Sequence, residues 1–478
     1  MPSGSQYRSR AVCSLIGQHG HSCHRTDLRD LYSVARAMAD ILLGSRMTTT
    51  DATLKVGPIQ LGQGVTRFNF WSFMYASFIC IGVLAGMNML QPYVLTEILQ
   101  LPKSIQGTVS GNLGTWQEVV AILLINPFGW LSDRIGRRPL LVFGIIVCGI
   151  GMGLYPFASS VNELVMIRIV FAVGSACLAA MIAVVGNDYP AEASRGRMIA
   201  FGNILNGVGV IFMVIVIAQI PAVLINRGVD KVTAGQAMFV TVAILCLVSA
   251  IWFRFGLKAG TPSMATVPPD WKTLMLSGFR AGRNPRILLS YGAAFVGRAD
   301  VSIKGMFISL WAVSAAADAG LTTAEALARG GQLIGILSVI GMLWVGVFGW
   351  LLDRLNRVTG LAIAMGLAGV GYSSMWFVTS PLDFSNLPAF AILAIGQMSV
   401  ICASVTLVGQ EAMPAERGAV ISMNGFFGAI GIFLAFFIGG RLFDAFGPAA
   451  PFVMVGLFQI GLFFAAVAVR ILAPGNMK

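Results

Sequence analysis

Long apolar runs, separated by short polar joints, make up most of this chain. Twelve runs between residues 68 and 469 are free of charge or hold only isolated charged residues. A helix that crosses a bilayer needs about 20 apolar residues, and lipid permits only helices or closed barrels to span it. Because barrel strands are about 10 residues of alternating polarity, the pattern predicts an all-α, multi-pass membrane protein with 12 transmembrane helices. The predicted spans 1 to 12 cover residues 68–96, 104–132, 139–162, 164–187, 198–226, 232–253, 287–317, 330–352, 358–382, 384–410, 418–440 and 445–469.

A charge-dense joint occurs twice along the chain, at an offset of 220 residues. The first copy reads G-W-L-S-D-R-I-G-R-R at residues 129–138, and the second reads G-W-L-L-D-R-L-N-R-V at residues 349–358. Smaller features recur at an offset of 222 residues, namely Arg195-Gly196 as Arg417-Gly418 and Gly209 as Gly431. Repeated six-helix units are typical of transporters whose site lies between the repeats.

The repeat divides the chain into two pseudo-symmetric six-helix bundles, residues 67–253 and 287–472. A polar linker with several prolines, residues 254–286, connects them and is expected in the cytosol. Residues 1–66 are expected to form a polar cytosolic leader, partly disordered, and residues 473–478 a short tail.

Charged residues are scarce and lie mostly outside the predicted spans. The chain is 56% hydrophobic and 11% charged, whereas a soluble domain has about 25% charged residues. With both termini placed in the cytosol, 24 of the 32 Lys and Arg residues lie on that side and 5 on the other, as the positive-inside rule requires. We therefore predict an integral protein of the plasma (inner) membrane, with both termini cytosolic and in contact with membrane lipid. No nucleic-acid partner is expected, because a basic soluble domain is missing.

Histidine and cysteine give no sign of a metal, a cofactor or a disulfide. All three histidines lie in the leader beside Cys23, with no carboxylate or second Cys/His pair to complete a metal site. If translation starts at Met47 instead, this tract is not made at all. The predicted spans contain neither His nor a nucleophile–base pair, so we do not expect an enzyme.

The first joint resembles the loop signature between helices 2 and 3 of the major facilitator superfamily of secondary transporters. Residues 129–138 match that signature almost fully, and residues 349–358 resemble the weaker copy between helices 8 and 9. The second copy departs from the pattern where Asn356 replaces a glycine and Val358 the last basic residue. The resemblance covers about residues 68–472 and implies two six-helix bundles that rock about a central cavity, in a functional monomer.

Two further motifs strengthen the resemblance. Leu164-x-x-x-Arg168 is similar to the superfamily's arginine motif in helix 4, and Glu192-x-x-Arg195-Gly196 is similar to the loop after it. Drug/proton antiporters of the superfamily usually carry a Gly-Pro pair inside helix 5. Span 5 has no proline before residue 221, so the antiporter assignment loses support.

The charges of the joints are candidates for a conformational gate. Asp133 can pair with Arg134, with Arg137 or with the positive N-terminus of a neighbouring helix. Such contacts can form in one arrangement of the halves and break in the other. The alternative is that these charges only anchor a tight turn at the lipid headgroups. The candidate gate residues are Gly129, Asp133, Arg134, Gly136, Arg137, Arg138, Asp353 and Arg354.

Five charged residues lie within the predicted spans, where charge is expensive and often functional. Glu118, near the middle of span 2, is a candidate proton carrier or a buried, neutralised acid. Arg168 can bind an anionic group of a substrate or pair with Glu118. In span 7, Asp300 and Lys304 are four residues apart and can pair on one helix face, which leaves Arg298 on another. Asp300 is a second candidate for proton coupling.

The resemblance implies that spans 1, 4, 7 and 10 line the cavity, so that Arg298 and Lys304 would face it. Uncharged polar residues in the spans are further candidates to contact a substrate, although each can equally well hold helices together. Those expected in the cavity are Asn88, Gln91 and Gln397, and others are Asn203, Asn206 and Asn424.

These features predict a proton-linked secondary transporter for a small organic solute. Three positive against two negative residues within the spans favour an anionic or zwitterionic solute. A multidrug efflux antiporter is the nearest alternative, and a non-transporting membrane receptor or assembly factor on the same fold is an alternative of another class.

Overall fold

The computed structural model describes residues 54–260, 271–412 and 417–473, with the side chains of 271–274 and 417 left aside. Most of the predicted leader, including its histidines and Cys23, lies outside the described residues, as do residues 474–478. The described α-helices are α1 (Arg67–Tyr93), α2 (Lys103–Ile135), α3 (Arg137–Leu154), α4 (Val161–Asp188), α5 (Arg195–Ile215), α6 (Ile220–Ile225), α7 (Lys231–Gly256), α8 (Trp271–Ala281), α9 (Pro285–Ser314), α10 (Thr323–Arg354), α11 (Arg357–Ser373), α12 (Leu387–Glu411), α13 (Arg417–Phe446) and α14 (Ala450–Leu472). Spans 1 to 5 correspond to α1–α5, span 6 to α7, and spans 7 to 12 to α9–α14.

Within the described ranges, 10 helical segments are long and apolar enough to cross a membrane. The other two long helices, α2 and α9, carry more polar residues, among them Glu118 in α2 and Arg298, Asp300 and Lys304 in α9. The prediction of an all-α, multi-pass fold is confirmed. The count of 12 crossings stays a prediction.

The described ends of the chain lie on one side of the helical layer, which we call the termini side. There, Asn69 at the start of α1 donates to the carbonyl oxygen of Gly256 at the end of α7 (2.8 Å). Likewise, Arg286 at the start of α9 donates to the carbonyl oxygen of Ala473 after α14 (2.7 and 2.9 Å). We call the other side the opposite side.

The two halves of the chain pack alike. A Cβ on Gly209 of α5 would overlap with the carbonyl oxygen of Phe78 in α1, and a Cβ on Gly431 of α13 would overlap with that of Phe295 in α9. The 222-residue recurrence of these glycines therefore marks equivalent close crossings of two helices. Small residues allow such close approach, which is how helices associate in lipid.

The last part of the predicted leader is ordered and packs on the first half. Strands β1 (Lys55–Val56) and β2 (Ile59–Gln60) form a small antiparallel hairpin. Leu61, which is 1% exposed, pairs with Pro190 after α4. Residues 54–66 thus connect the start of α1 to the α4–α5 loop on the termini side.

The linker contains a helix that the sequence prediction lacked. Helix α8 packs against α13 and is held by the hydroxyl of Tyr291, which donates to the carbonyl oxygen of Gly278 (2.9 Å). Gly278 permits this contact, since a Cβ there would lie 3.0 Å from the carbonyl oxygen of Ala419.

Candidate substrate cavity and gates

Glu118 and Arg298 come from different halves and lie near each other. Glu118 in α2 is half-buried, Arg298 in α9 is exposed, and their charges interact. No ion pair of 4.0 Å or less joins them, so a gap remains between the two groups. The stem of Arg298 lies against Gly428 of α13, where a Cβ would overlap with it. The sequence suggested a role for both residues but did not bring them together.

Arg168 lies in a different environment from the one considered in the sequence. It is fully buried, and it donates to Asn88 Oδ1 and lies beside the hydroxyl of Tyr155. Tyr155 in turn donates to Gln91 Oε1 (2.9 Å). The suggested pair of Arg168 with Glu118 is not formed among the described residues, and the guanidinium donates to Asn88 of α1 instead.

Two nitrogens of Arg168, Nε and Nη1, have no hydrogen-bond partner among the residues that the structure describes. Gln91 is fully buried, whereas Asn88 is partly exposed. Of this group, Asn88 is thus the member that a solute could reach most directly. Tyr155 was missed in the sequence, where it stands near the end of an apolar run without a motif.

Asp300 and Lys304 share a face of α9, but that face is buried. Asp300 Oδ2 accepts a hydrogen bond from Gln459 Nε2 of α14 (2.7 Å), and its carbonyl oxygen accepts one from Tyr372 of α11 (3.1 Å). Lys304 is 7% exposed, and its role in the cavity stays a prediction. The charges of Asp300 and Lys304 interact, yet among described residues the two form no ion pair within 4.0 Å, and Oδ1 of Asp300 has no hydrogen-bond partner there. Gln459 could have been found in the sequence as an isolated polar residue of span 12.

The uncharged candidates lie apart. Gln397 of α12 is fully buried, and neither of its amide atoms has a partner in the described part of the chain. Asn203 is exposed. The side-chain amide of Asn206 donates to the carbonyl oxygens of Ser77 in α1 (3.0 Å) and Gly202 (3.2 Å). Asn424 of α13 accepts a long hydrogen bond from Ser290 of α9 (3.4 Å), which is a contact between helices of the second half.

The first joint forms a charge network within the first half. Arg137 pairs with Asp133 (2.6 Å) and with Asp188 at the end of α4 (3.0 Å), and it donates to Ser132 Oγ (2.7 Å). Gly136, between α2 and α3, has φ +96°, a conformation that glycine adopts without strain. Asp133 thus uses Arg137 as its partner, one of the options that the sequence left open.

Arg134 and Arg354 occupy equivalent positions in the two joints, and each lies over a tryptophan. The guanidinium of Arg134 is 3.8 Å from the ring centre of Trp130, and that of Arg354 is 3.9 Å from the ring centre of Trp350. Arg138 lies beside Tyr189 on the termini side. The same stacked pair of arginine and tryptophan thus recurs in both halves.

The second joint is built differently at its turn. Asp353 pairs with Arg357 (3.3 Å), which repeats the Asp133–Arg137 spacing. Asn356, however, has φ −56° and caps α11 by accepting from the backbone N–H of Val358 (3.0 Å). The departure from glycine therefore replaces a left-handed turn by a side-chain cap.

The halves are joined tightly on the opposite side. Asp444 of α13 accepts from the backbone N–H groups of Gly107 (2.8 Å) and Thr108 (2.6 Å) near the N-terminus of α2. Lys103 Nζ donates to the carbonyl oxygen of Ser314 at the end of α9 (2.7 Å). Each charge thus lies at the helix end whose dipole favours it. The sequence prediction missed these contacts, because both residues looked like ordinary loop charges.

Glycines continue this seam between the halves. A Cβ on Gly111 of α2 would overlap with the carbonyl oxygen of Phe436 in α13, and a Cβ on Gly331 of α10 with that of Val214 in α5. Spacing of Gly107 and Gly111 by four residues is a small-residue pattern that favours close helix packing. We call this set of contacts the opposite-side seam.

On the termini side the same four helices stand apart. At Gly129 of α2, Gly196 of α5, Gly349 of α10 and Gly418 of α13, no described atom would lie within 4 Å of an added Cβ. Contacts of the two joints are formed inside their own halves. The contacts between the halves described above thus lie on the opposite side, whereas the joints on the termini side form theirs within their own halves.

Comparisons with known proteins agree with this geometry. The chain is 27% identical over 404 residues to the magnetosome protein MamH of Paramagnetospirillum magneticum. The aligned region covers 83% of this chain and 90% of MamH. It is 25% identical to the magnetosome protein MamZ of the same organism, over 82% of this chain and 62% of MamZ. The chain therefore spans less than two thirds of MamZ.

A solved structure shows the same fold. The nucleoside transporter NupG superposes with a TM-score of 0.65, at 12% sequence identity, over 84% of this chain and 99% of that protein. Residues 73–436 match the sequence profile of the Major Facilitator Superfamily. With its paired helix crossings, its duplicated joint and its seam between two halves, this chain belongs to the Major Facilitator Superfamily.

Proposed function

We propose that this protein is a proton-coupled secondary transporter of a small organic anion or zwitterion. Membership of the superfamily supports transport. The observation that carries the finer proposal is the arrangement of Glu118 and Arg298. These two residues supply a carboxyl group from the first half and a guanidinium from the second, with a gap between the two groups. Charged groups at this depth are expensive to keep and are rarely without function.

Arg298 is the group that we assign to the solute. Its guanidinium is exposed, whereas Arg168 and Lys304 are buried by protein. A guanidinium offers five N–H donors in a planar fork that fits a carboxylate or a phosphate. Of these three cations, Arg298 therefore binds an anionic group at the lowest cost in rearrangement.

Glu118 is the group that we assign to the proton. When Glu118 is ionised, its charge and that of Arg298 cancel, so an arriving anion would leave the site with a net negative charge. Such a charge is costly where the surroundings are poorly polarisable. Protonation of Glu118 removes this cost and frees Arg298 for the solute. Charge balance thus favours binding of the anion and the proton together, which is symport.

The seam supports a mechanism of alternating access. The halves are held together on the opposite side by Asp444 and Lys103, and the charges of the two joints pair within their own halves on the termini side. Rocking of the two halves would break the opposite-side seam and bring each joint toward the half to which it does not belong, as the gate hypothesis requires. Rigid bundles that pivot about a fixed site are the usual design of such transporters.

The test is transport in proteoliposomes. The purified chain is screened with small organic acids and zwitterions, and the internal pH is followed with a trapped dye. We expect a solute-dependent pH change that Glu118→Gln abolishes while solute exchange continues. Asp318→Asn is the control, because Asp318 is an exposed acid that forms no ion pair in the described ranges.

Three outcomes would contradict the proposal. Unchanged proton coupling in Glu118→Gln removes this residue from the role. Preference for apolar cations would favour the multidrug antiporter. Failure to move any solute, in protein that folds and retains a signalling or assembly phenotype in cells, would favour the non-transporting receptor or assembly factor.

The membrane in which the protein works is a separate proposal. We predict the plasma membrane with both termini in the cytosol. The similarity to MamH and MamZ, which are named as magnetosome proteins, favours a second candidate, a magnetosome membrane. A fluorescent fusion to the C-terminus, imaged in the native cell and compared with fractionated membranes, separates the two.

A further inference from the structure

Helix α8, in the linker between the halves, presents an apolar and basic face that other described residues leave uncovered. Leu276 and Phe279 are each 51% exposed. Arg280 is exposed on the same face, and Arg283 is exposed just beyond the end of the helix. Within the helix, the spacing i, i+3 and i+4 places Leu276, Phe279 and Arg280 on one stripe, and Arg283 follows in the turn after it. We call these four residues the stripe.

The other face of α8 is fixed to the second half. Gly278 is buried against Ala419 and Met423 of α13, and its carbonyl oxygen accepts from Tyr291 of α9. Phe279 also touches Phe427 of α13 edge-on, with ring centres 6.3 Å apart. The uncovered stripe is therefore held in a defined direction.

The position of α8 puts it at the depth of the membrane surface. Its contacts are with Ala419, close to the start of α13, and with Tyr291, about two turns into α9. At 1.5 Å per residue, these residues lie about 3 to 9 Å inside the ends of their helices. An amphipathic helix at an interface buries its apolar face by about 5–10 Å, which is the same depth.

The arginines of the stripe are free to bind an anion. Arg280 and Arg283 form no ion pair with any residue in the described ranges. Their neighbour Arg286, in contrast, pairs with Glu411 (2.9 Å) and with the carbonyl of Ala473. Basic residues next to exposed apolar residues at this depth fit the headgroup and the upper acyl region of an anionic phospholipid.

We propose that α8 is an interfacial anchor that binds anionic phospholipid through Arg280 and Arg283 while Leu276 and Phe279 insert between acyl chains. The anchor would hold the second half, and not the first, to the membrane surface on the termini side. It is independent of the solute and of proton coupling.

Hydrogen exchange of the backbone amides in residues 271–284 tests the proposal. The full-length protein is placed in nanodiscs of phosphatidylcholine alone or of phosphatidylcholine with phosphatidylglycerol. A basic residue near an anionic surface contributes about 1 kcal/mol, so two arginines should slow the opening of α8 about 30-fold, or about 2 kcal/mol, in the anionic discs. Arg280→Gln/Arg283→Gln should remove this difference between lipids.

The control variant is Arg227→Gln/Arg329→Gln, which removes two exposed arginines of the opposite side and should keep the difference. Leu276→Gln/Phe279→Gln should speed exchange in both lipids. Equal protection of wild type in the two lipids would overturn the proposal. So would protection that depends only on which conformation the halves adopt, because α8 would then cover the gap between the halves and not the bilayer.

Discussion

Replacing Asp444 by alanine should shift this transporter away from the conformation that is closed on the opposite side. Its carboxylate is the acceptor for two backbone N–H groups of α2, at 2.8 and 2.6 Å, and it comes from the other half of the molecule. Opening of this side must break both hydrogen bonds. The contact therefore contributes to one conformation only, and its loss changes the balance between the two.

The magnitude follows from the kind of bond. A hydrogen bond to a charged group contributes about 1.5–3 kcal/mol, and a negative charge near a helix N-terminus adds about 0.3–1 kcal/mol. Asp444 is partly exposed, so water replaces some of what is lost. We take about 2 kcal/mol for the whole contact, which corresponds to about a 30-fold change in the ratio of the two conformations. Asp444→Asn keeps one acceptor and should give about half of this free energy.

Distances between spin labels measure the shift. Labels at Arg227 in the first half and Ala319 in the second, both exposed on the opposite side, report its opening in a cysteine-free background. The population with a long distance should rise in Asp444→Ala and less in Asp444→Asn. Asp318→Asn, an exposed aspartate of the same side, is the matched control. An unchanged distribution in Asp444→Ala, or an equal shift in the control, would show that this contact does not set the balance between the two conformations.

Three further changes test other parts of the structure. Gly431→Ala should lower the melting temperature, because the new methyl group overlaps with the carbonyl oxygen of Phe295, at a cost of about 1–3 kcal/mol. Gly425→Ala, where the methyl group meets open space, should be neutral or stabilising. Equal effects of the two changes would contradict the close crossing at Gly431. Arg137→Gln should slow transport, because it leaves the carboxylates of Asp133 and Asp188 without their shared partner. Arg137→Lys should not restore the rate, because an ammonium cannot bridge two carboxylates as a guanidinium does. Leu61→Ala should cost about 2–5 kcal/mol locally and speed hydrogen exchange in residues 188–194; unchanged exchange would show that the hairpin does not hold this loop.

Much of the fold could be read from the sequence because lipid imposes simple rules. Long apolar runs have to be helices, so the all-α class followed directly. The duplicated joint and the paired Gly209 and Gly431 indicated two similar halves, and both glycines prove to be at equivalent helix crossings. Helix α8 was missed because its short, partly polar segment carries no signal that separates it from a loop.

The candidate site was harder to predict. Glu118 and Arg298 were recognised as charges within spans, but their proximity was not, since they are 180 residues apart in sequence and lie in different halves. For Arg168 the sequence left open a substrate anion or Glu118, and the structure adds a contact with Asn88 that was not expected. Its neighbours Asn88 and Tyr155 come from α1 and the end of α3, and the apolar pattern does not show which face of a helix meets which neighbour.

The apolar pattern and the duplicated motifs are enough to predict a lipid environment, a helical class, two similar halves and the charged residues that are costly within a membrane. Tertiary packing sets the neighbours of those charges: Glu118 lies near Arg298 across a gap, and Asp300 accepts a hydrogen bond from Gln459. The contact of Asp444 with the N-terminus of α2 is likewise seen only in the folded chain. Helices in lipid are apolar on nearly every face. Their azimuth and their neighbours are therefore set by close packing at glycines and by a few buried polar contacts, and these depend on residues far apart in the chain.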